Sequence, residues 1–281
     1  MPELPEVETV RLALDRTLTG QRIKTVDVRA KGLRKPFSED LGARLTGRKV
    51  LRCSRRAKYA LLELDGAEVL VIHLGMSGRV LLHEQHVIYA PEKHDHLVMT
   101  FDNGVRFVLN DARRFGMVFL VSRKQLDRHD AFKSLGPEPL AREFTGAVLA
   151  QALAGRKTAI KAALLDQRIV AGLGNIYVSE ALFDAGISPL RPAGSLSVKE
   201  TSALCASIKK VLKKAVAAGG SSLKDYKHPD GELGYFQHSF TVYDREGQAC
   251  RGCNCNIKRT GGIKRLVQGG RSTFFCPRRQ I

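Results

Sequence analysis

The feature that most constrains this chain is a change of periodicity near Leu135-Gly136-Pro137-Glu138-Pro139. Residues 22–121, ahead of that segment, read mainly as short strands. Examples are Ile23 to Val28, Ala60 to Leu64, Val69 to His73 and Val80 to Leu82. Leu97–Phe101 and Val105–Leu109 flank Asp102-Asn103-Gly104, a strong hairpin signal. Many short strands with turns between them predict a β-sandwich or barrel. Residues 142–218 read as helices. The clearest runs from Ser197 to Ala218, with Val198, Cys205, Ile208, Leu212 and Val216 near one face and Gly219-Gly220 as its stop. A helix also leads the chain: Pro5 suits a first turn, Val7, Val10 and Leu14 share a face, and Gly20 ends the segment. The expected class is α+β. An N-terminal β-sandwich domain with its leading helix spans 1–134, a helical domain 135–238, and a cysteine-bearing tail 239–281.

Charge narrows the partner. Over 281 residues the formal net charge is +18, and residues 251–281 hold eight Lys or Arg with no Asp or Glu. Such an excess points to a polyanion, most often nucleic acid. No apolar run approaches a membrane span. The start lacks a basic region followed by an apolar core, so a cytoplasmic protein is expected. Four of the six cysteines crowd into residues 250–276, which points to a metal rather than a disulfide scaffold.

Several constellations carry chemistry. Removal of Met1 would leave Pro2 with a free secondary amine. An α-amino group has a pKa of roughly 7.7–8, so a useful fraction is unprotonated near neutral pH. Such an amine can attack an aldehyde-like carbon and form an iminium. Glu3 and Glu6 lie close enough in sequence to act as acid or base. The plain alternative is that both prolines only start a helix. Arg55-Arg56-Ala57-Lys58-Tyr59 is a basic cluster entering a strand, which is usually a solvated edge. His73 to Arg79 and Asn110 to Gly116 are two short loops carrying Met76, Arg113 and Phe115. Lys161 to Gln167, followed by Gly172-Leu173-Gly174-Asn175, opens a helix with glycines that let a phosphate approach its N-terminus. Ser221, Ser222 and Tyr226 lie in a loop rich in Gly, Ser and Asp.

These strings together resemble the bacterial formamidopyrimidine-DNA glycosylases over nearly the whole chain. The run Pro2-Glu3-Leu4-Pro5-Glu6-Val7-Glu8-Thr9 matches their N-terminus, and Gly172 to Glu180 matches their helix–two-turn–helix element. The resemblance implies a base-excision DNA repair enzyme, a glycosidase and lyase. It would release oxidised purines such as 8-oxoguanine and formamidopyrimidines from duplex DNA and nick abasic sites by β,δ-elimination. It implies Pro2 as nucleophile at C1′, Glu3 as the acid at the sugar ring, and Lys58 at a phosphate beside the lesion. It implies Met76, Arg113 and Phe115 as fillers of the gap left by an everted base. Lys161, Asn175 and Arg271 would hold phosphates. Ser221, Ser222 and Tyr226 would belong to a loop over the lesion. A cytoplasmic, nucleoid-associated monomer is expected. Two other readings remain: a non-catalytic binder of lesions or abasic sites, and the sister enzyme for oxidised pyrimidines. Leu4 and the Met76, Arg113, Phe115 set resemble the purine branch.

The tail departs from the family. The usual zinc-finger-like β-hairpin carries two Cys-x2-Cys pairs separated by sixteen residues. Here Cys250-x2-Cys253 is followed by 22 residues before Cys276, and Arg279 stands where a fourth Cys is expected. Cys255 offers another thiol, so the expected zinc ligands are Cys250, Cys253, Cys255 and Cys276. A hairpin without zinc, packed by Phe274 and Phe275, and a site completed by His238 are the alternatives.

Overall fold

A computed structural model describes residues 2–221, 234–254 and 256–281. Ser222, Tyr226 and Cys255 lie outside the described residues. The chain forms two compact units, Met1–Lys133 with Ala218–Tyr235, and Ser134–Ala217 with Phe236–Ile281.

The first unit opens with helix α1 (Leu4–Leu18). Leu4, Val7, Val10, Leu14 and Leu18 are buried at helical spacing, as the apolar pattern requires. Next come β1 (Ile23–Val28), α2 (Leu41–Leu45), β2 (Val50–Arg56), β3 (Tyr59–Leu64), β4 (Glu68–His73), β5 (Arg79–His83), β6 (Asp95–Phe101), β7 (Arg106–Asn110) and β8 (Met117–Ser122). The strands make two antiparallel sheets, in the orders β1-β6-β7-β5 and β2-β3-β4-β8. Their inner faces share one core. Ile23, Met99, Phe101, Phe107 and Leu109 come from the first sheet, and Val50, Leu62, Leu70, Ile72 and Val118 from the second. Val7, Val10 and Leu14 of α1 join it. This is the expected sandwich. The β6–β7 hairpin turns through Asp102-Asn103-Gly104, where Gly104 has a φ of +78°. β3 is buried almost throughout because its outer face is covered as well. There Phe132 packs on Tyr59, and His129 stacks on Phe119 at 4.4 Å.

The second unit holds α3 (Gly146–Leu153), α4 (Ile160–Leu165), α5 (Asn175–Ala185), α6 (Val198–Ala217), α7 (Ile257–Thr260), β9 (Lys264–Gln268) and β10 (Arg271–Phe275). α6 begins as its sequence predicts. The Ser197 Oγ accepts the Glu200 N–H, while the Glu200 carboxylate accepts the Ser197 N–H at 2.8 Å, a reciprocal cap. Cys205, Ile208 and Leu212 are buried against α3 and α5, and Val216 is half-buried. Val198 is not part of that face: it is 72% exposed, because it opens the first turn ahead of the packed stretch. β9 and β10 form a hairpin whose Gly269-Gly270 turn has both φ values positive, which glycine alone adopts without strain. The extra residues after Cys253 include α7, capped by Asn256. No helix among the described residues is long and apolar enough to cross a membrane.

Candidate active site and nucleic-acid interface

Residues around the N-terminus are fixed by one carboxylate. Glu6 is 2% exposed. Its Oε2 accepts the Glu3 N–H at 2.8 Å, and its Oε1 accepts the Ser221 N–H at 2.8 Å. Pro2 and Glu3 are therefore anchored at the head of α1, both buried. Gly220 is required here: its φ is +76°, and a Cβ would lie 2.9 Å from the Glu6 Oε1. Ser221 bridges Tyr235, and the Tyr235 N–H donates to the Ala218 carbonyl at 3.0 Å. The two ends of the segment bearing Ser222 and Tyr226 are thus joined beside Glu6.

Lys58 lies in the tight β2–β3 turn, after Ala57 at a φ of +52°, and is 9% exposed. Arg55 ties that turn to α1. Its Nε donates to Glu8 at 2.9 Å and its Nη1 to the Ala57 carbonyl at 2.9 Å. His73 faces Tyr59 across the β3–β4 pair, with ring centroids 4.8 Å apart. Burial first, then the Lys58 and Arg34 charges, push its pKa down to about 4. The His73 Nδ1 accepts the Gly75 N–H at 3.1 Å, so the neutral ring carries its proton on Nε2.

Met76 and Phe115 project from neighbouring loops, each 43% exposed. The Arg113 guanidinium lies 4.8 Å from the centre of the Phe115 ring. Gly75 cannot carry a side chain, since a Cβ would meet the Phe115 carbonyl at 2.4 Å. The two loops therefore touch through backbone.

In the second unit, Lys161 and Asn175 converge on one carbonyl. Lys161, fully buried, donates from Nζ to the Ser272 carbonyl at 2.8 Å and to the Thr273 Oγ1 at 2.7 Å. Asn175, the first residue of α5, donates from Nδ2 to the same Ser272 carbonyl at 2.9 Å. The neighbouring Arg271 is exposed at the start of β10. Gln167 stitches the turns before α5: it accepts the Gly172 N–H at 2.8 Å and donates to the Leu173 carbonyl at 2.9 Å. Glu180 on α5, buried, accepts the N–H groups of Thr241, Val242 and Tyr243 at 2.8–3.1 Å. That carboxylate seats the approach to the cysteine tail.

Cys250, Cys253 and Cys276 bring their sulfurs within 4.8 Å of one another. Three thiols placed this way could hold a metal ion, and thiolates suit a soft or borderline metal. Arg279 turns away to three carbonyls. It donates to Phe183 at 3.0 Å, Gly252 at 2.9 Å and Asp184 at 3.3 Å, and it lies over the Phe183 ring. His238 is exposed and outside the cluster. Phe274 is buried with Val242, Ile263 and the cysteines, whereas Phe275 is only partly buried.

Sequence reasoning did not single out His73, Arg55, Glu180 or Arg279 for the parts they take here. His73 stands at the head of the loop string that carries Met76. Arg55, Glu180 and Arg279 reach partners distant in sequence, and no local pattern marks them.

Residues 1–118 match the family model described as formamidopyrimidine-DNA glycosylase N-terminal domain, and residues 135–227 the one described as formamidopyrimidine-DNA glycosylase H2TH domain. The chain is 55% identical over 280 residues to a formamidopyrimidine-DNA glycosylase of Rhodospirillum rubrum, covering 100% of each chain. It is 53% identical to one of Dinoroseobacter shibae, covering 99% of each. Among solved structures it is similar to the MutM (Fpg) protein of Thermus thermophilus, with a TM-score of 0.86, 39% identity and coverage of 99% and 98%. It is also similar to a Lactococcus lactis Fpg solved with abasic-site DNA, with a TM-score of 0.89, 35% identity and coverage of 99% of each chain. With fold, motifs and full-length relatives in agreement, the chain belongs to the formamidopyrimidine-DNA glycosylase family.

Proposed function

We propose that this protein excises oxidised purines from duplex DNA and cleaves the resulting abasic strand, with Pro2 as the nucleophile. The observation that carries the reading is the anchored head of α1. Glu6 holds the Glu3 N–H and the Ser221 N–H at 2.8 Å each, so Pro2 and Glu3 start from a fixed backbone. Fixed placement of a nucleophile replaces a bimolecular encounter with a unimolecular one.

The Pro2 nitrogen, freed by removal of Met1, forms a bond to C1′ while the bond from C1′ to the base breaks; the base leaves with that electron pair and takes up the proton the amine gives up. The Glu3 carboxyl gives a proton to the ring oxygen as the sugar opens, leaving an iminium between Pro2 and C1′. The iminium acidifies the C2′ hydrogen. Its loss expels the 3′ phosphate, a second elimination expels the 5′ phosphate, and water releases Pro2. Lys58 suits a phosphate beside the lesion, as a point charge on a long stem. Met76, Arg113 and Phe115 occupy the space of the everted base. Removing that base from the stack costs a few kcal/mol, and an apolar wedge with a planar cation replaces part of what is lost. Arg271 binds phosphate directly. Lys161 and Asn175 hold phosphate beside it, from positions where both also donate to the Ser272 carbonyl next to Arg271.

The tail holds a structural zinc ion through Cys250, Cys253 and Cys276, with Cys255 as the fourth ligand. Zinc would supply rigidity to a hairpin with a small core, not chemistry. Protein purified without added metal should contain about one zinc per chain, as a closed structural site demands. The Cys255→Ala variant should contain much less. Full zinc content in that variant would remove Cys255 from the set.

Release of free 8-oxoguanine from a duplex tests the activity itself. Appearance of the base with the wild-type chain, and its loss in Pro2→Gly, is the expected result. Tight lesion binding without base release would establish the non-catalytic reading instead.

A further inference from the structure

The two loops that carry Met76 and the Arg113–Phe115 pair are joined by a buried polar lock. Asp111 is fully buried, at 0% exposure. Its Oδ1 accepts the Ser77 hydroxyl at 2.6 Å, and its Oδ2 accepts the Gly116 N–H at 2.8 Å. Ser77 also works in the other direction, because its Oγ accepts the Arg113 N–H at 3.2 Å. One hydroxyl therefore joins the residue after Met76 to Asp111 and Arg113 of the neighbouring loop, and the Asp111 carboxylate carries the link on to Gly116.

Asp111 is itself held. Its backbone N–H donates to the His94 carbonyl at 3.0 Å, and its carbonyl meets the His96 Nε2 at 2.8 Å. Backbone contacts complete the lock. The Arg34 N–H donates to the Gly116 carbonyl at 3.0 Å, and Gly75 packs against the Phe115 carbonyl. Arg114 adopts a φ of +56°, a conformation that a non-glycine residue keeps only when its surroundings impose it.

We infer that Ser77 and Asp111 are positioning residues that make Met76, Arg113 and Phe115 act as one rigid wedge rather than three independent side chains. The inference rests on the void-filling reading given above. Its physical basis is the cost of ordering. Two exposed loops that had to order on DNA would lose conformational freedom at the moment of base eversion. A hydroxyl and carboxylate fixed in the free protein remove that loss beforehand. The buried carboxylate also depends on its partners, since unmet hydrogen bonds to a buried charge are costly.

The Ser77→Ala variant tests this while leaving Asp111 and Gly116 paired. The variant loses both hydrogen bonds of the Ser77 hydroxyl, each worth about 1 kcal/mol, so base release from a duplex with 8-oxoguanine opposite cytosine should slow roughly ten- to thirtyfold. Nicking of a preformed abasic duplex has no base to evert and should change less than about twofold. The Phe115→Ala variant should show the same split. In the Phe115→Ala background, adding Ser77→Ala should cost less than about twofold, because the wedge is already broken. Thermal melting of each variant reports folding separately.

An unaltered Ser77→Ala alongside an impaired Phe115→Ala would overturn the lock and leave the wedge intact. An equal loss on both substrates, or a full additional loss in the double variant, would also overturn it. Unimpaired Phe115→Ala and Met76→Ala variants would instead overturn the void-filling reading on which the lock depends.

Discussion

Glu6 has both oxygens engaged by backbone N–H groups, one from Glu3 in its own turn and one from Ser221, 215 residues away. A carboxylate used in this way holds geometry. The amide of Glu6→Gln would set an NH2 donor against one of those N–H groups, at a cost of about 1–3 kcal/mol. Base release in single turnovers should then fall roughly five- to a hundredfold. Binding to an uncleavable abasic duplex should change far less. His73 makes a pH prediction. Its folded pKa, about 4, lies below the ordinary histidine value of 6.5 because burial and the Lys58 and Arg34 charges disfavour the imidazolium. The unfolded chain therefore binds the extra proton first as pH falls. The stability His73 contributes is complete above about 6.5 and is lost progressively down to about 4. Denaturant melts of His73→Gln should show a shallower decline across that window than the wild type. Identical slopes would contradict the assignment.

At the scale of elements, the hairpin β9–β10 depends on side chains from the helices of its own unit. Lys161 of α4 and Asn175 of α5 both end on the Ser272 carbonyl, and Glu180 of α5 gathers three backbone N–H groups at 241–243. A Lys161→Met variant keeps the stem and removes the ammonium. It should destabilise the chain by about 1.5–3 kcal/mol, the range for a hydrogen bond to a charged group. Arg279→Ala removes three carbonyl hydrogen bonds and the stacking on Phe183. It should lower the melting temperature both with and without a zinc chelator, because these bonds do not pass through metal. A loss seen only in the presence of chelator would contradict that independence. Much of this scale was legible in the sequence. The short apolar runs of β1 and β3–β7, the Asp102-Asn103-Gly104 turn and the helix start at Ser197 are local signals, and local signals survive folding. β2 reads less clearly, because Arg52, Arg55 and Arg56 interrupt its apolar pattern. Val198 misled because helical spacing marks a face without saying where along it packing begins. The Glu6–Ser221, Arg55–Glu8 and Ser77–Asp111 pairs join distant residues and exist only once the sandwich has formed.

Across the whole molecule the excess of +18 charges sets how the protein meets its substrate. A cation that neutralises a phosphate releases condensed counterions, so the slope of log affinity against log salt should change by about 0.9 for each phosphate no longer neutralised. Arg271→Ala should weaken binding to lesion and undamaged duplexes alike and flatten the slope by about that amount. Weakening confined to the lesion duplex would place Arg271 in recognition instead. The family's chemistry, the anchored N-terminus and the basic charge meet in one claim, that the Pro2 nitrogen becomes covalently joined to the sugar. The direct measurement is borohydride reduction of the protein with a duplex bearing 8-oxoguanine opposite cytosine, followed by mass mapping of the trapped adduct. The account predicts a single adduct on the Pro2 nitrogen, abolished when an N-terminal extension is retained. An adduct on Lys58 or another lysine, or equal trapping with the extension in place, would contradict it.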